Sequence, residues 1–144
     1  MDIDNYFATG YKGSKNFRAS DLKTVNATGF TSPTDDYAER GIDLNEELIA
    51  NKPSTFFMRV RSDSMINAGI FNGDVVIVDR SLKPVNGKIV IATFDGEMLI
   101  RRLEKINNHL RLVPECGNLS SIEIDESYDG FEIWGVATYV IHAL

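Results

Sequence analysis

A serine at the end of a strand-like run is the residue best placed to do chemistry in this chain. Val60 and Arg61 close a β-branched, apolar stretch, and small polar residues then lead to Ser64 and Met65. A serine hydroxyl is a weak nucleophile unless a neighbouring group removes its proton. The chemistry to expect is therefore nucleophilic attack by Ser64, with the base supplied by another element of the fold.

Strands dominate the part of the chain that must position this serine. Alternating apolar residues bounded by turn residues predict strands at 55–61, 74–80, 88–94, 97–104, 109–113, 122–124 and 131–141. Asp95-Gly96 predicts a two-residue hairpin, and residues 65–69 are expected to form a turn that presents Ser64. The pattern indicates a mostly β protein, either a sandwich or a small closed sheet.

Residues 1–40 differ in character from the rest of the chain. Glycines, serines, asparagines and Pro33 interrupt any apolar period there, so we predict an extended N-terminal arm over 1–40 and a β-rich domain over 41–144. One short helix is expected after the arm. Asp43 would be its N-cap, Glu46 stands three residues later as in a capping box, and Pro53 ends it.

The bulk composition limits the class of protein. A chain of 144 residues that is 43% hydrophobic is long enough for one domain with a core. Its net charge of −6 and scattered basic residues argue against direct binding to DNA. A single cysteine excludes an internal disulfide, and two distant histidines make no metal site. We expect no cofactor, no membrane association and a cytoplasmic location.

Several short motifs, taken together and in order, resemble the self-cleaving serine peptidases of the LexA and UmuD type. The motifs are Gly29-Phe30-Thr31-Ser32-Pro33, Asp43-Leu44-Asn45, Asp63-Ser64-Met65-Ile66, Gly69-Ile70, Gly73-Asp74, Ile77-Val78-Asp79, Asp95-Gly96-Glu97 and Trp134-Gly135-Val136. The resemblance covers nearly all of the chain after about residue 24 and implies the folded β-sheet of the LexA C-terminal domain, of the β-clip type. The short segment before Gly29 leaves no room for a helix-turn-helix domain, which favours the UmuD branch.

The resemblance also implies a function in the SOS response. Members of this branch form homodimers whose N-terminal arm lies in the active-site groove and is cut there after the protein meets RecA filaments on single-stranded DNA. The product is the accessory subunit of a UmuC-type translesion polymerase. By position, the bond to be cut is Thr28–Gly29. Because the substrate is part of the same assembly, proximity replaces substrate affinity.

The chain departs from this family at the position of the general base, where the family has lysine and this chain has Arg101. Strand alternation places Arg101 between Leu99 and Leu103, a setting that would lower the pKa of a lysine. Arginine stays charged and therefore cannot take the proton. It is expected to find an acceptor or to turn toward water, most simply in a surface salt bridge. Lys105 could replace the base only if the strand bulged or folded back.

Two further departures lie near the same chemistry. Thr28 stands where the family usually has alanine or cysteine, and Ser62 stands where related chains commonly have glycine. Arg101 fits either a natural loss of the peptidase or an introduced change, and Thr28 favours the natural loss.

Two classes of function stay open. One is a self-cleaving serine endopeptidase that uses Ser64 with an unidentified base. The other is a binding module that dimerises and engages RecA and the polymerase without cutting itself. A thiol peptidase built from Cys116 with His109 or His142 is disfavoured, because a lone loop cysteine is usually inert.

Overall fold

Paired strands make up most of the computed structural model, which describes residues 2–4 and 41–144. The strands are β1 (Ile3–Asp4), β2 (Thr55–Val60), β3 (Val75–Asp79), β4 (Ile89–Phe94), β5 (Glu97–Ile106), β6 (His109–Val113), β7 (Ile122–Ile124) and β8 (Phe131–Ile141). Their spatial order is β1-β2-β3-β8-β4-β5-β6-β7, and every pair is antiparallel. The predicted mostly β class is confirmed. The sheet is open, with β1 and β7 at its two edges, and is not the closed sheet also considered from the sequence.

The local turn chemistry follows the sequence closely. Asp95 and Gly96, between β4 and β5, both have positive φ, at 50° and 82°. Positive φ at both central residues is what a type I′ hairpin turn requires, and this turn matches the twist of the strands on either side. The predicted hairpin is confirmed, and β5 continues to Ile106 beyond its predicted end.

The single α-helix among the described residues, α1 (Leu44–Leu48), lies in a compact unit separate from the sheet. Asp43 is its N-cap, as predicted, because the Asn45 amide donates to Oδ1 of Asp43 at 2.9 Å. The helix ends at Leu48, before the predicted end at Pro53. Most of the predicted arm lies outside the described residues. Within residues 2–4, however, Ile3 and Asp4 form β1.

Two apolar clusters stabilise the sheet, and β5 contributes to both. The first contains Ile3, Met58, Val60, Met65, Ile70, Val76, Val78, Ile91, Met98 and Ile100. The second contains Val90, Ala92, Leu103, Leu110, Leu112, Ile124 and Val136. Successive side chains of a strand point to opposite faces, which is why Ile100 and Leu103 belong to different clusters. Met65 is 1% exposed, so the residue after Ser64 is fixed in the core.

Strand β8 connects the two halves of the sheet. It pairs with β3 on one side and with β4 on the other. Gly135 leaves room for the side chain of Val78 on β3, since a Cβ atom at position 135 would stand 2.6 Å from Cγ1 of Val78. The order of the strands therefore places the first three on one side of β8 and the other four on its opposite side.

Candidate active site

Ser64 follows β2 on a tight turn and is 2% exposed. A 3-10 helical turn, Ile66–Ala68, begins two residues later and ends at Gly69, whose φ of 82° is left-handed. This conformation favours glycine. The turn predicted over 65–69 is confirmed, and it holds Ser64 against the core at its start.

The loop after β6 clamps this turn through its backbone. The Glu115 amide donates to the carbonyl oxygen of Ser64 at 2.9 Å, and the Asn67 amide donates to the carbonyl oxygen of Glu115 at 2.8 Å. The Glu115 carboxylate in turn accepts hydrogen bonds from Nε and Nη2 of Arg102 on β5. Strand β5 therefore fixes the main chain of Ser64 through Glu115.

The hydroxyl of Ser64 contacts two other side chains. Its Oγ lies 2.9 Å from Oγ of Ser62 and donates to Oδ2 of Asp2 at 3.3 Å. Ser62 is one of the departures noted above. The hydroxyl that it has in place of a glycine hydrogen is thus a direct partner of the candidate nucleophile.

Arg101 and Ser64 both donate to the same carboxylate oxygen, Oδ2 of Asp2. Nη1 of Arg101 donates to this oxygen in an ion pair and to the carbonyl oxygen of Ile100 at 2.8 Å. The Ile100 amide also donates to that oxygen of Asp2, at 3.3 Å. Arg101 is only 6% exposed. It has found an acceptor, as expected, but the expectation of a surface salt bridge is wrong because the pair is buried.

No sequence motif pointed to Asp2. It lies 62 positions from Ser64 and 99 from Arg101 in the chain, and a single aspartate in a segment without apolar periodicity carries no pattern. Asp2 became visible as a site residue only when the fold placed β1 beside β2.

The arrangement contains no ready base for Ser64 among the described residues. Its hydroxyl contacts the Ser62 hydroxyl and a carboxylate that already forms an ion pair with a guanidinium. Lys105 does not supply the base, because its Nζ lies 3.5 Å from Glu126 and its side chain is 52% exposed. The site can hold a carboxylate, but it has no neutral amine to take a proton.

The other candidate residues do not join this site. Thr28 and Gly29 lie outside the described residues. His142 contacts Asp74 at 2.5 Å, and His109 pairs with Ile106 at the β5–β6 hairpin. Over residues 2–4 and 41–144, no His, Cys, Asp or Glu side chains group to hold a metal ion, and no helix there has the length and apolarity to cross a membrane.

Comparison with known proteins gives the family. A family model described as Peptidase S24-like matches residues 23–138. The chain belongs to this family. The S24-like region takes in Ser64, Arg101 and the Thr28–Gly29 bond, so the predicted resemblance to the LexA and UmuD type is confirmed.

Individual relatives agree with the S24-like assignment. Protein ImpA of Salmonella typhimurium is 45% identical over 116 residues, which cover 79% of this chain and 77% of ImpA. Protein MucA of Escherichia coli is 35% identical over 118 residues, covering 82% of this chain and 80% of MucA. The LexA repressor of Clostridium kluyveri is 38% identical over 83 residues, covering 58% of this chain and 41% of the repressor.

The contact between Arg102 and Glu115 makes the clamp on Ser64 sensitive to acid. The hydrogen bond from Arg102 lowers the pKa of Glu115, and burial partly opposes this effect. A lowered pKa means that the contact stabilises the fold above the unfolded value of about 4.3 and is lost as the pH falls through the folded value. Glu115→Gln is expected to reduce the free energy of unfolding at pH 7 by about 0.2–1 kcal/mol, and by less at pH 3.

Urea denaturation at both pH values measures this difference. Glu97→Gln, which alters an exposed carboxylate on β5, is the matched control and should leave stability unchanged at both. A deficit for Glu115→Gln that was equal at pH 7 and pH 3 would contradict the assigned contact.

Proposed function

We propose that this chain is a UmuD-like SOS mutagenesis protein that acts, uncut, as the homodimeric accessory subunit of a UmuC-type translesion polymerase. Its membership of the S24-like family supports this proposal, as do relatives such as ImpA and MucA that align over most of their length. The family supplies a self-cleaving serine peptidase site, with Ser64 in the position of the nucleophile. In this chain that site serves as part of the scaffold.

The observation that carries the uncut form is the convergence of Ser64 and Arg101 on one oxygen of Asp2. The family resemblance assigns the general base to position 101, but the side chain there is a guanidinium that stays charged. The position expected to hold the lysine is thus close to the nucleophile and chemically unable to activate it.

Asp2 does not replace the missing lysine. If its carboxylate took the proton of Ser64, Arg101 would be left as a buried cation facing a neutral acid. A buried charge without its partner is strongly destabilising. The ion pair therefore opposes proton transfer from Ser64, and the Thr28–Gly29 bond is left uncut.

The charge of the chain favours protein partners. A net charge of −6 repels a phosphate backbone, so the chain would reach single-stranded DNA only through the RecA filament formed on it. Binding of the polymerase and of RecA needs a folded surface and does not itself need cleavage.

A mutagenesis assay tests the function. A bacterial strain without its own UmuD-type gene, and with a UmuC-type polymerase, would receive the unaltered chain or Ser64→Ala, and ultraviolet-induced reversion would be counted. Both chains are expected to restore reversion to the same level. Intact-mass analysis of the purified chain, after incubation with RecA filaments, should find its full mass.

The same assay separates the two classes of function. If Ser64→Ala abolished reversion, or if the unaltered chain lost its first 28 residues, the protein would be an active peptidase. If neither chain restored reversion and neither bound the polymerase, the accessory role would be wrong.

A further inference from the structure

We infer that the Ser64–Arg101 site of this chain is a carboxylate-binding site and that its occupant is the chain's own N-terminal segment, held through Asp2. The inference goes beyond the proposed function and does not depend on it. The ligand class is an extended peptide that has an acidic side chain followed by an aliphatic one.

The donors of the site converge on one point. Oδ2 of Asp2 accepts from Nη1 of Arg101, from the Ser64 hydroxyl at 3.3 Å and from the Ile100 amide at 3.3 Å. Strand β5 provides two of these donors and the serine turn provides the third. Hydrogen bonds to an ionised acceptor are about twice as strong as neutral ones, and a carboxylate is the group that suits this set of donors.

One donor of Arg101 remains unused among the described residues. Nε of Arg101 is buried and has no partner among the described residues. A guanidinium presents its N–H groups as a planar fork that matches both oxygens of a carboxylate. Asp2 does not use such a fork, because its Oδ2 accepts from Nη1 alone among the Arg101 nitrogens, whereas the N–H of Nε runs parallel to one of Nη2. The carboxylate is therefore bound to Arg101 through a single nitrogen.

The backbone around Asp2 is bound as an added strand. The Asp2 amide donates to the carbonyl oxygen of Met98 at 3.0 Å, and the Arg61 amide donates to the carbonyl oxygen of Asp2 at 2.6 Å. Ile3 pairs with Val60 in β1–β2 and is 1% exposed in the first apolar cluster. Main-chain bonds with alternate side chains in pockets are how sheets recognise extended peptides.

This docked segment lies over the nucleophile position. Because Asp2 binds the Ser64 hydroxyl and Arg101 at the same time, any other extended peptide must displace β1 before it can reach Ser64. A two-residue strand forms few backbone hydrogen bonds, so the Asp2 carboxylate is expected to supply much of the free energy that binds β1 to the sheet. Residues 2–4 thus compete with any other peptide segment for the site at Ser64 and Arg101.

Hydrogen exchange on the full chain tests the inference, with Asp2→Asn as the variant. The Arg61 and Ile100 amides should exchange about 10- to 100-fold faster. The Ile100 amide loses a hydrogen bond to a charged group, and the Arg61 amide loses its bond to the Asp2 carbonyl oxygen when β1 detaches. Amides of the central strands, such as that of Val78, should be unchanged. Asp63→Asn, which alters an exposed carboxylate beside Ser64, is the matched control and should have no effect.

Peptides supply the second measurement. A synthetic peptide of residues 1–6, added to Asp2→Asn, should restore protection at Arg61, whereas the same peptide with asparagine in its second position should not. Asp2→Glu keeps the carboxylate and should retain most of the protection, which distinguishes loss of the site from a failure to fold.

Three results would overturn the inference. They are unchanged exchange at Arg61 in Asp2→Asn, equal restoration by both peptides, and protection in the unaltered chain that falls on dilution. The last result would assign the occupant to a second copy of the chain. None of these measurements involves RecA or the polymerase, so their failure is distinguishable from failure of the proposed function.

Discussion

Arg101→Lys is expected to turn this chain into one that cuts itself between Thr28 and Gly29. The change places an amine where Arg101 now meets Ser64 across one oxygen of Asp2. Position 101 is 6% exposed, and burial lowers the pKa of a lysine toward the range in which it can accept a proton. A positioned general base contributes about 10²- to 10⁴-fold to such a reaction, so cleavage should pass from undetectable to measurable.

Asp2 is expected to limit the gain. A carboxylate beside the new amine favours the charged form of that amine and raises the pKa of the lysine by about 1 to 3. Because each unit of pKa alters the neutral fraction about tenfold, adding Asp2→Asn to Arg101→Lys should raise the cleavage rate by at least about tenfold. Asp2→Asn also weakens the binding of β1 beside Ser64, which should raise the cleavage rate further.

Intact-mass analysis at mildly alkaline pH, with and without RecA filaments on single-stranded DNA, measures these rates. The expected order is no cleavage for the unaltered chain, slow cleavage for Arg101→Lys and faster cleavage with Asp2→Asn added. Adding Ser64→Ala to either variant should abolish the loss of the first 28 residues. Self-cleavage by the unaltered chain, or a folded double variant that stayed intact, would contradict the role given to Arg101.

Ile100→Ala is expected to cause a much larger loss of stability than Glu115→Gln. Ile100 is 0% exposed, lies in the first apolar cluster and faces Ile91 across β4–β5. Truncating such a residue removes apolar contacts and leaves a cavity, at a cost of about 2–5 kcal/mol. Since domains of this size are stable by only about 5–15 kcal/mol, a large part of the folding free energy would be lost.

Ile106→Ala provides the control on the same strand. Ile106 ends β5 and is 51% exposed, so its truncation should change the free energy of unfolding by no more than about 0.5 kcal/mol. Urea denaturation of the two variants and the unaltered chain gives the comparison. Equal losses for both variants would mean that the core is not where the structure places it.

The strands were predictable because their signal is local. Alternation in the stretches that became β2 to β8, the Asp95-Gly96 turn and the cap at Asp43 each depend on neighbouring residues, and each is present in the structure. The order of the strands was not predictable in this way. Whether a sheet closes depends on which distant edges meet, and no short-range pattern reports that.

The site was predictable in part. Ser64 and Arg101 came from motifs, and burial of the position between Leu99 and Leu103 followed from alternation. Asp2 was missed because β1 has only two residues, too few to show a period. A buried arginine nonetheless requires an acceptor, and that requirement was the one available hint that a distant acidic residue would join the site.

The position of β8 in the sheet has a consequence for biosynthesis. β8 is the last of the described strands to leave the ribosome, yet it lies between β3 and β4. Until it emerges, β3 and β4 both lack the strand that pairs with them, and each presents an unpaired edge. Unpaired edges invite pairing with other chains, so the nascent protein is most exposed to aggregation just before the residues of β8 appear.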